Sequence, residues 1–168
     1  ENVEIDYRMS SLKAKDILAI LNGEKSETLP TVIESTENDN LFVFWSGHGV
    51  PGAMCWDEEP YAMTGDDLST VFKDMNLKRR YRKLLMMVEA CFSGGVMEQC
   101  EGIPGMLFIT AANGDETSKA DVFNGEMKVW MSNRFTSTFI EQITDNKDVA
   151  MRDLYYRLFI NTVGSHVM

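Results

Sequence analysis

Two side chains in this sequence have the type and the setting for nucleophilic chemistry. Cys91 falls within Leu84–Gly95, LLMMVEACFSGG, where a strand-like stretch meets a cysteine and small residues follow at once. His48 sits between Gly47 and Gly49 at the end of a second apolar run, LFVFWSGHG. A buried strand that ends on a nucleophile, with a helix starting just beyond it, presents a reactive side chain at the carboxyl edge of a parallel sheet. The unpaired N–H groups and positive dipole end of such a helix favour thiolate over thiol. A free cysteine is more often buried and inert, and a lone histidine is more often structural. The pairing of the two at equivalent strand ends is what carries the catalytic reading. Gly47 and Gly49 permit unusual backbone angles and close approach of another molecule. The N–H groups of Gly49 and Cys91 form a candidate oxyanion hole. In the chemistry this implies, the Cys91 sulfur attacks a carbonyl carbon and His48 carries the proton to the leaving amine. The two N–H groups hold the negative oxygen, and water releases the acyl group.

Positioning these residues requires strands laid side by side. Neighbouring parallel strands lie about 4.8 Å apart, so residues just past two adjacent strand ends face each other even when 43 positions separate them, as they do His48 and Cys91. Leu41–Trp45 is a continuous apolar run, the pattern of a central strand covered on both faces. Leu84–Glu89 and Met106–Ala111 follow as further strands. Val3–Asp6 reads as a strand end or extended entry, and Val163–Met168 as the beginning of a last strand. Helical spacing places Leu12, Ile17, Leu18, Ile20 and Leu21 on one face, with Ser10 and Ser11 as caps and Gly23 as the stop. Thr64 with Asp67 forms a capping pair ahead of Leu68, Val71, Phe72 and Met75. A short helix covers Ser93–Gln99. Asn133 caps a helix carrying Phe135, Phe139 and Ile143, and Asp148 caps another carrying Met151, Leu154, Tyr155, Leu158 and Phe159. Glu24–Asn40 and Asn113–Gly125 read as polar loops, and Val50–Ala62 as a loop with room for a short hairpin. Strands alternating with amphipathic helices give an α/β three-layer sandwich with a mostly parallel sheet, one domain over residues 1–168.

Composition narrows the class further. A chain of 168 residues with 44% hydrophobic and 25% charged residues is long enough for a real core. Its net charge of −10 argues against a nucleic-acid partner. The basic run Lys78–Lys83 reads as a solvated turn. No stretch approaches the ~20 apolar residues that span a membrane, and no signal peptide opens the chain. Cys55, Cys91 and Cys100 do not make a disulfide framework, with Cys55 and Cys100 left either paired or free. No spacing suggests a metal site or a cofactor.

LFVFWSGHG, MMVEACFSGG and FITAANGDETSKAD, in that order, resemble the legumain (asparaginyl endopeptidase) family of caspase-fold cysteine peptidases. VEIDYRMSSLKAKDILAILNG and the closing SHVM extend the resemblance over nearly the whole chain. It implies a caspase-like sheet, His48 and Cys91 as the catalytic dyad, and Gly49 in the oxyanion hole. It also implies a substrate pocket lined by Glu89, by the hydroxyl pair Thr117 and Ser118, and by Glu126 in place of a usual Asp. Such a pocket suits Asn, whose amide donates to carboxylates, or Asp when those carboxyls are protonated. The same carboxylates would also attract Arg or Lys. Gly47 stands where legumains commonly carry an acidic residue, and SGHG is closer to the catalytic subunit of the GPI-anchor transamidase. The EAC and TAAN contexts favour the legumain side.

The resemblance further implies an inactive precursor, a peptide or protein substrate, and a secreted, periplasmic or lysosome-like location. An N-terminal fragment of the same precursor is an expected partner. It would supply two more strands, with an Asn supporting the histidine and an Arg in the pocket. Three other readings stay open: a transamidase or peptide ligase using the same thioester, a non-catalytic interaction module, and a hydrolase using Ser46 or Ser93. No Asp–His–Ser context accompanies either serine.

Overall fold

The computed structural model describes residues 4–56 and 59–168, and for 59–61 the backbone alone. The three apolar runs form one parallel sheet of β1 (Asn40–Ser46), β5 (Lys83–Glu89) and β6 (Met106–Thr110), in the order β1-β5-β6. Alternation along β5 serves two layers at once. Met86 and Val88 point into a core shared with α1 (Ala14–Asn22), α2 (Gly65–Leu77) and α3 (Ser93–Glu98). Met87 points into a second core with α4 (Arg134–Asp145) and α5 (Met151–Asn161), through Phe135, Leu154 and Leu158. Helices therefore cover both faces, as a three-layer α/β sandwich requires, and the parallel sheet is consistent with a caspase-like fold.

The central strand is β5, not β1. Among the described residues β1 pairs on one side only. Leu41, Val43 and Trp45 pack on the first core, while Phe42 and Phe44 are 55% and 38% exposed. An unbroken apolar run does not reveal which of its two faces is covered.

Two antiparallel units flank the sheet. β2 (Gly49–Val50), β3 (Ala53–Trp56) and β4 (Glu59–Thr64) form a meander where a loop with a short hairpin was expected. Pro51 and Gly52, the latter at φ 76°, make its first turn. β7 (Ala120–Asn124) and β8 (Val129–Asn133) form a hairpin, so the expected loop Asn113–Gly125 gives way to a strand from Ala120 onward.

Several end signals hold. Gly23 closes α1 in the left-handed conformation at φ 71°. Thr64 and Asp67 exchange bonds as a capping box: the Asp67 N–H donates to the Thr64 hydroxyl oxygen at 3.2 Å, and the Thr64 N–H to the Asp67 carboxylate at 3.0 Å. Others shift. α1 begins at Ala14, where the Lys13 N–H donates to Asp16, while Ser10 and Ser11 lie in the preceding 3-10 turn and Leu12 is extended. Ala150 is the N-cap of α5, and the Asp148 N–H instead bonds the Asn146 side chain. Asn133 precedes α4 as expected, but its side chain makes no cap bond.

Arg80 is no solvated cation. Its guanidinium donates to the carbonyls of Asn22 and Ile33 and holds loop 24–40 against α1. At the far end of the chain Thr110 and Met168 exchange two N–H···O bonds of 2.9 and 3.1 Å, the start of an antiparallel pairing along β6. Residues 4–6 carry no strand, and Val3 lies outside the described residues.

Candidate active site

The parallel register of β1 and β5 sets Ser46 opposite Glu89. Two residues beyond each stand His48 and Cys91, and the Gly47 N–H ties the two strand ends by donating to the Glu89 carbonyl at 3.1 Å. His48 and Cys91 then border one open cleft of about 330 Å³, together with Ser46, Gly47, Ser118, Ala120 and Asn133.

Gly49 shows why no side chain is tolerated beside the histidine. A Cβ there would lie 2.1 Å from the Cys91 carbonyl oxygen and 3.1 Å from the Ala90 Cβ. The backbone after the histidine thus lies directly against the Cys91 backbone. The Cys55 N–H donates to the His48 carbonyl at 2.9 Å. In an antiparallel ladder the next residue, Gly49, turns its N–H away from β3. That leaves the Gly49 N–H without a ladder partner in β3.

The chain turns sharply after Cys91. Phe92 adopts φ 55°, ψ 19°, a left-handed conformation that costs a non-glycine residue about 1–2 kcal/mol. α3 starts one residue later and packs so closely that a Cβ at Gly94 would lie 2.9 Å from the Asn113 backbone. The Gly94 N–H donates to the Ala112 carbonyl at 3.0 Å, and the Phe92 N–H to that of Glu116 at 2.8 Å. Segment 112–116 therefore forms the platform on which the nucleophile's turn rests.

Glu89 lies beneath the cleft, 1% exposed. Its Oε2 accepts the Thr136 N–H and hydroxyl, each at 2.9 Å. Its Oε1 is buried and has no hydrogen-bond partner among the described residues. Burial pushes its carboxyl above the ordinary range, and the bonds from Thr136 only partly offset this. Ser118 stands on the cleft wall, with its Oγ 3.9 Å from the Cys91 sulfur. Thr117 does not border the cleft: it is exposed and accepts a bond from the Lys119 ammonium at 3.0 Å.

Glu126 is not brought to the site. It lies in the turn of the β7–β8 hairpin, its N–H held by Asn124. The near end of the hairpin, where Ala120 pairs with Asn133, borders the dyad. Asn133 is thus a cleft residue that motif reading placed only as a helix cap. The antiparallel pairing of 120–124 with 129–133, which no alternation in the sequence announces, brings it there.

The cysteines differ by environment. Burial pushes the Cys100 thiol up to about 11. Burial, and then proximity to Cys91, raise Cys55. None of the three forms a disulfide. Cys55 helps line a second hollow of about 320 Å³ beyond His48, with Trp45, Trp56 and Met9.

A histidine and a cysteine at adjacent carboxyl ends of a parallel sheet, with helices on both faces, define the class of caspase-like cysteine peptidases. Within it, the chain belongs to the Peptidase C13 family, whose sequence profile matches residues 1–168. It is 36% identical to the hemoglobinase of Schistosoma mansoni over 122 residues, 70% of this chain and 27% of that protein. It is 26% identical to human legumain over 175 residues, 100% of this chain and 40% of that protein. It is 25% identical to the GPI-anchor transamidase of Saccharomyces cerevisiae over 172 residues, 99% of this chain and 41% of that protein. The chain therefore spans about two-fifths, or less, of the length of these relatives.

Proposed function

We propose that this chain carries the catalytic centre of a cysteine endopeptidase that cleaves after Asn, and after Asp when the pocket carboxyls are protonated. The observation that carries the reading is the contact of Gly49 with the Cys91 backbone, which supports a shared oxyanion site between a histidine and a thiol. The Cys91 sulfur bonds to the scissile carbonyl carbon, and the N–H groups of Gly49 and Cys91 take the negative charge on its oxygen. His48, having taken the proton of the Cys91 thiol, passes it to the leaving amine as the C–N bond breaks. A water deprotonated by His48 then attacks the thioester, releasing the acid and restoring the thiol.

The buried Oε1 of Glu89 supports Asn as the residue before the scissile bond, because an amide N–H donates to it without bringing a second charge. Ser118 and Asn133 offer further polar partners at the cleft wall. Thr117 and Glu126 are left out of this pocket by their placement.

The reading includes a further strand-bearing segment of the same precursor against β1. Its support is that β1 has no second strand neighbour among the described residues, together with the exposure of Phe42 and Phe44.

A second reading, transfer of the acyl group to an amine, has its own support in the match to the yeast transamidase over nearly the full chain. Incubation of an Asn-containing peptide with graded hydroxylamine separates the two. A peptidase yields mainly acid at low amine, and a transferase yields mainly hydroxamate. Mass spectrometry after an Asn-terminated electrophilic peptide should find the adduct on Cys91. An adduct elsewhere, or none, contradicts both readings.

A further inference from the structure

Glu116 has no part in the chemistry above, yet three segments meet on it. Its backbone carbonyl accepts the Phe92 N–H at 2.8 Å, at the residue held in left-handed geometry directly after the nucleophile. Its carboxylate accepts the Asn113 N–H at 3.1 Å, closing the turn 113–116, in which the Asp115 N–H also bonds the Asn113 side chain at 2.9 Å. The same Oε1 accepts the His166 N–H at 2.6 Å, and the His166 Nδ1 stands 3.0 Å from Oε2. His166 follows Ser165, whose hydroxyl bonds the Ala111 carbonyl at 2.7 Å, so the chain beyond α5 is anchored on the same platform. Two residues past Glu116, Ser118 reaches the Cys91 sulfur.

We propose that Glu116 is a positioning residue for the nucleophile. Its carboxylate, gripped by Asn113 and His166, fixes the rotation of its own backbone. The carbonyl that restrains Phe92 and the segment that carries Ser118 into β7 are thereby held in register with Cys91. Loss of the carboxylate frees both sides of the sulfur together. The Cys91 N–H then leaves the oxyanion position, and Ser118 leaves the cleft wall. Such an effect falls on the transition state more than on ground-state binding. This inference rests on the peptidase reading.

The experiment is steady-state hydrolysis of an Asn peptide by the full chain carrying Glu116→Ala or Glu116→Gln, with Glu116→Asp replacing the Ala variant if that does not fold. The Gln amide oxygen still accepts both backbone N–H groups. The Ala or Asp variant should lose at least ~10-fold in kcat with KM within about threefold of the parent, and Gln should restore most of the loss. Alkylation of Cys91 by iodoacetamide, followed by intact mass, supplies a readout that does not need turnover. Its rate should change in the Ala or Asp variant and return toward the parent's in Gln. Unchanged kcat and alkylation in the Ala or Asp variant, or a Gln variant as impaired as Ala, would overturn the proposal. An unmutated chain that cleaves nothing even with the further precursor segment supplied would instead refute the peptidase reading, while the alkylation series still decides the role of Glu116.

Discussion

At the residue scale the site depends on contacts too tight to carry extra atoms. Gly49→Ala places a methyl 2.1 Å from the Cys91 carbonyl oxygen, so one of the two backbones must move. With an oxyanion donor displaced, kcat should fall about 10²–10³-fold, measured against an Asn peptide. A loss below tenfold would remove Gly49 from the oxyanion role.

Glu89 makes the opposite kind of prediction, in which a buried carboxyl costs stability. Its carboxyl is raised above the ordinary 4.5 by burial. The folded form keeps a proton that the unfolded chain releases, so its stabilising contribution is present below about 4.5 and is lost as pH rises through the raised value. Glu89→Gln should therefore melt a few degrees higher than the parent at pH 7, and the gap should close near pH 4 while Asn cleavage drops. A gap that widens on acidification contradicts this assignment. The meeting of His48 and Cys91 at one cleft, with Gly49 against Cys91, was legible in the sequence because each lies within a short motif at a strand end. Glu116 was not, because its partners Asn113, Phe92 and His166 are scattered along the chain.

At the scale of elements, the β7–β8 hairpin decides which polar residue reaches the cleft. The pairing of Ala120 with Asn133 sets these two at the base, and Glu126 at the far turn. Asn133→Ala should raise KM for an Asn peptide several-fold, and Glu126→Gln should leave it within about twofold. The reverse pattern would restore Glu126 to the pocket.

Helix ends were readable where the signal is local chemistry, as at Gly23 and the Thr64–Asp67 box. They shifted where a backbone turn came first, as at Ser10, Ser11 and Asp148. The hairpin escaped sequence reading because both its strands are largely exposed, with Val122, Phe123, Trp130 and Met131 open to solvent. No burial pattern then imposes a period of two.

At the scale of the molecule, one strand organises the rest. β5 has a neighbour on each side and a core on each face, and it delivers Glu89 and Cys91 to the same end. β1 brings His48 beside them through parallel register alone. The α/β class and the parallel sheet could be read from the alternation of apolar runs and helical spacing. The order of the strands could not, because β1 and β5 are equally apolar in sequence and differ only in what covers them.

The central claim is that Cys91, in this setting, cleaves after Asn. The most direct measurement is hydrolysis of fluorogenic peptides bearing Asn, Asp, Arg or Lys before the reporter, comparing the protein with its Cys91→Ala variant. Cleavage after Asn that vanishes in the variant is the predicted result, with Asp cleavage rising as pH falls and no turnover of Arg or Lys. Arg or Lys cleavage that exceeds Asn, or Asn cleavage that survives loss of the thiol, would contradict the account.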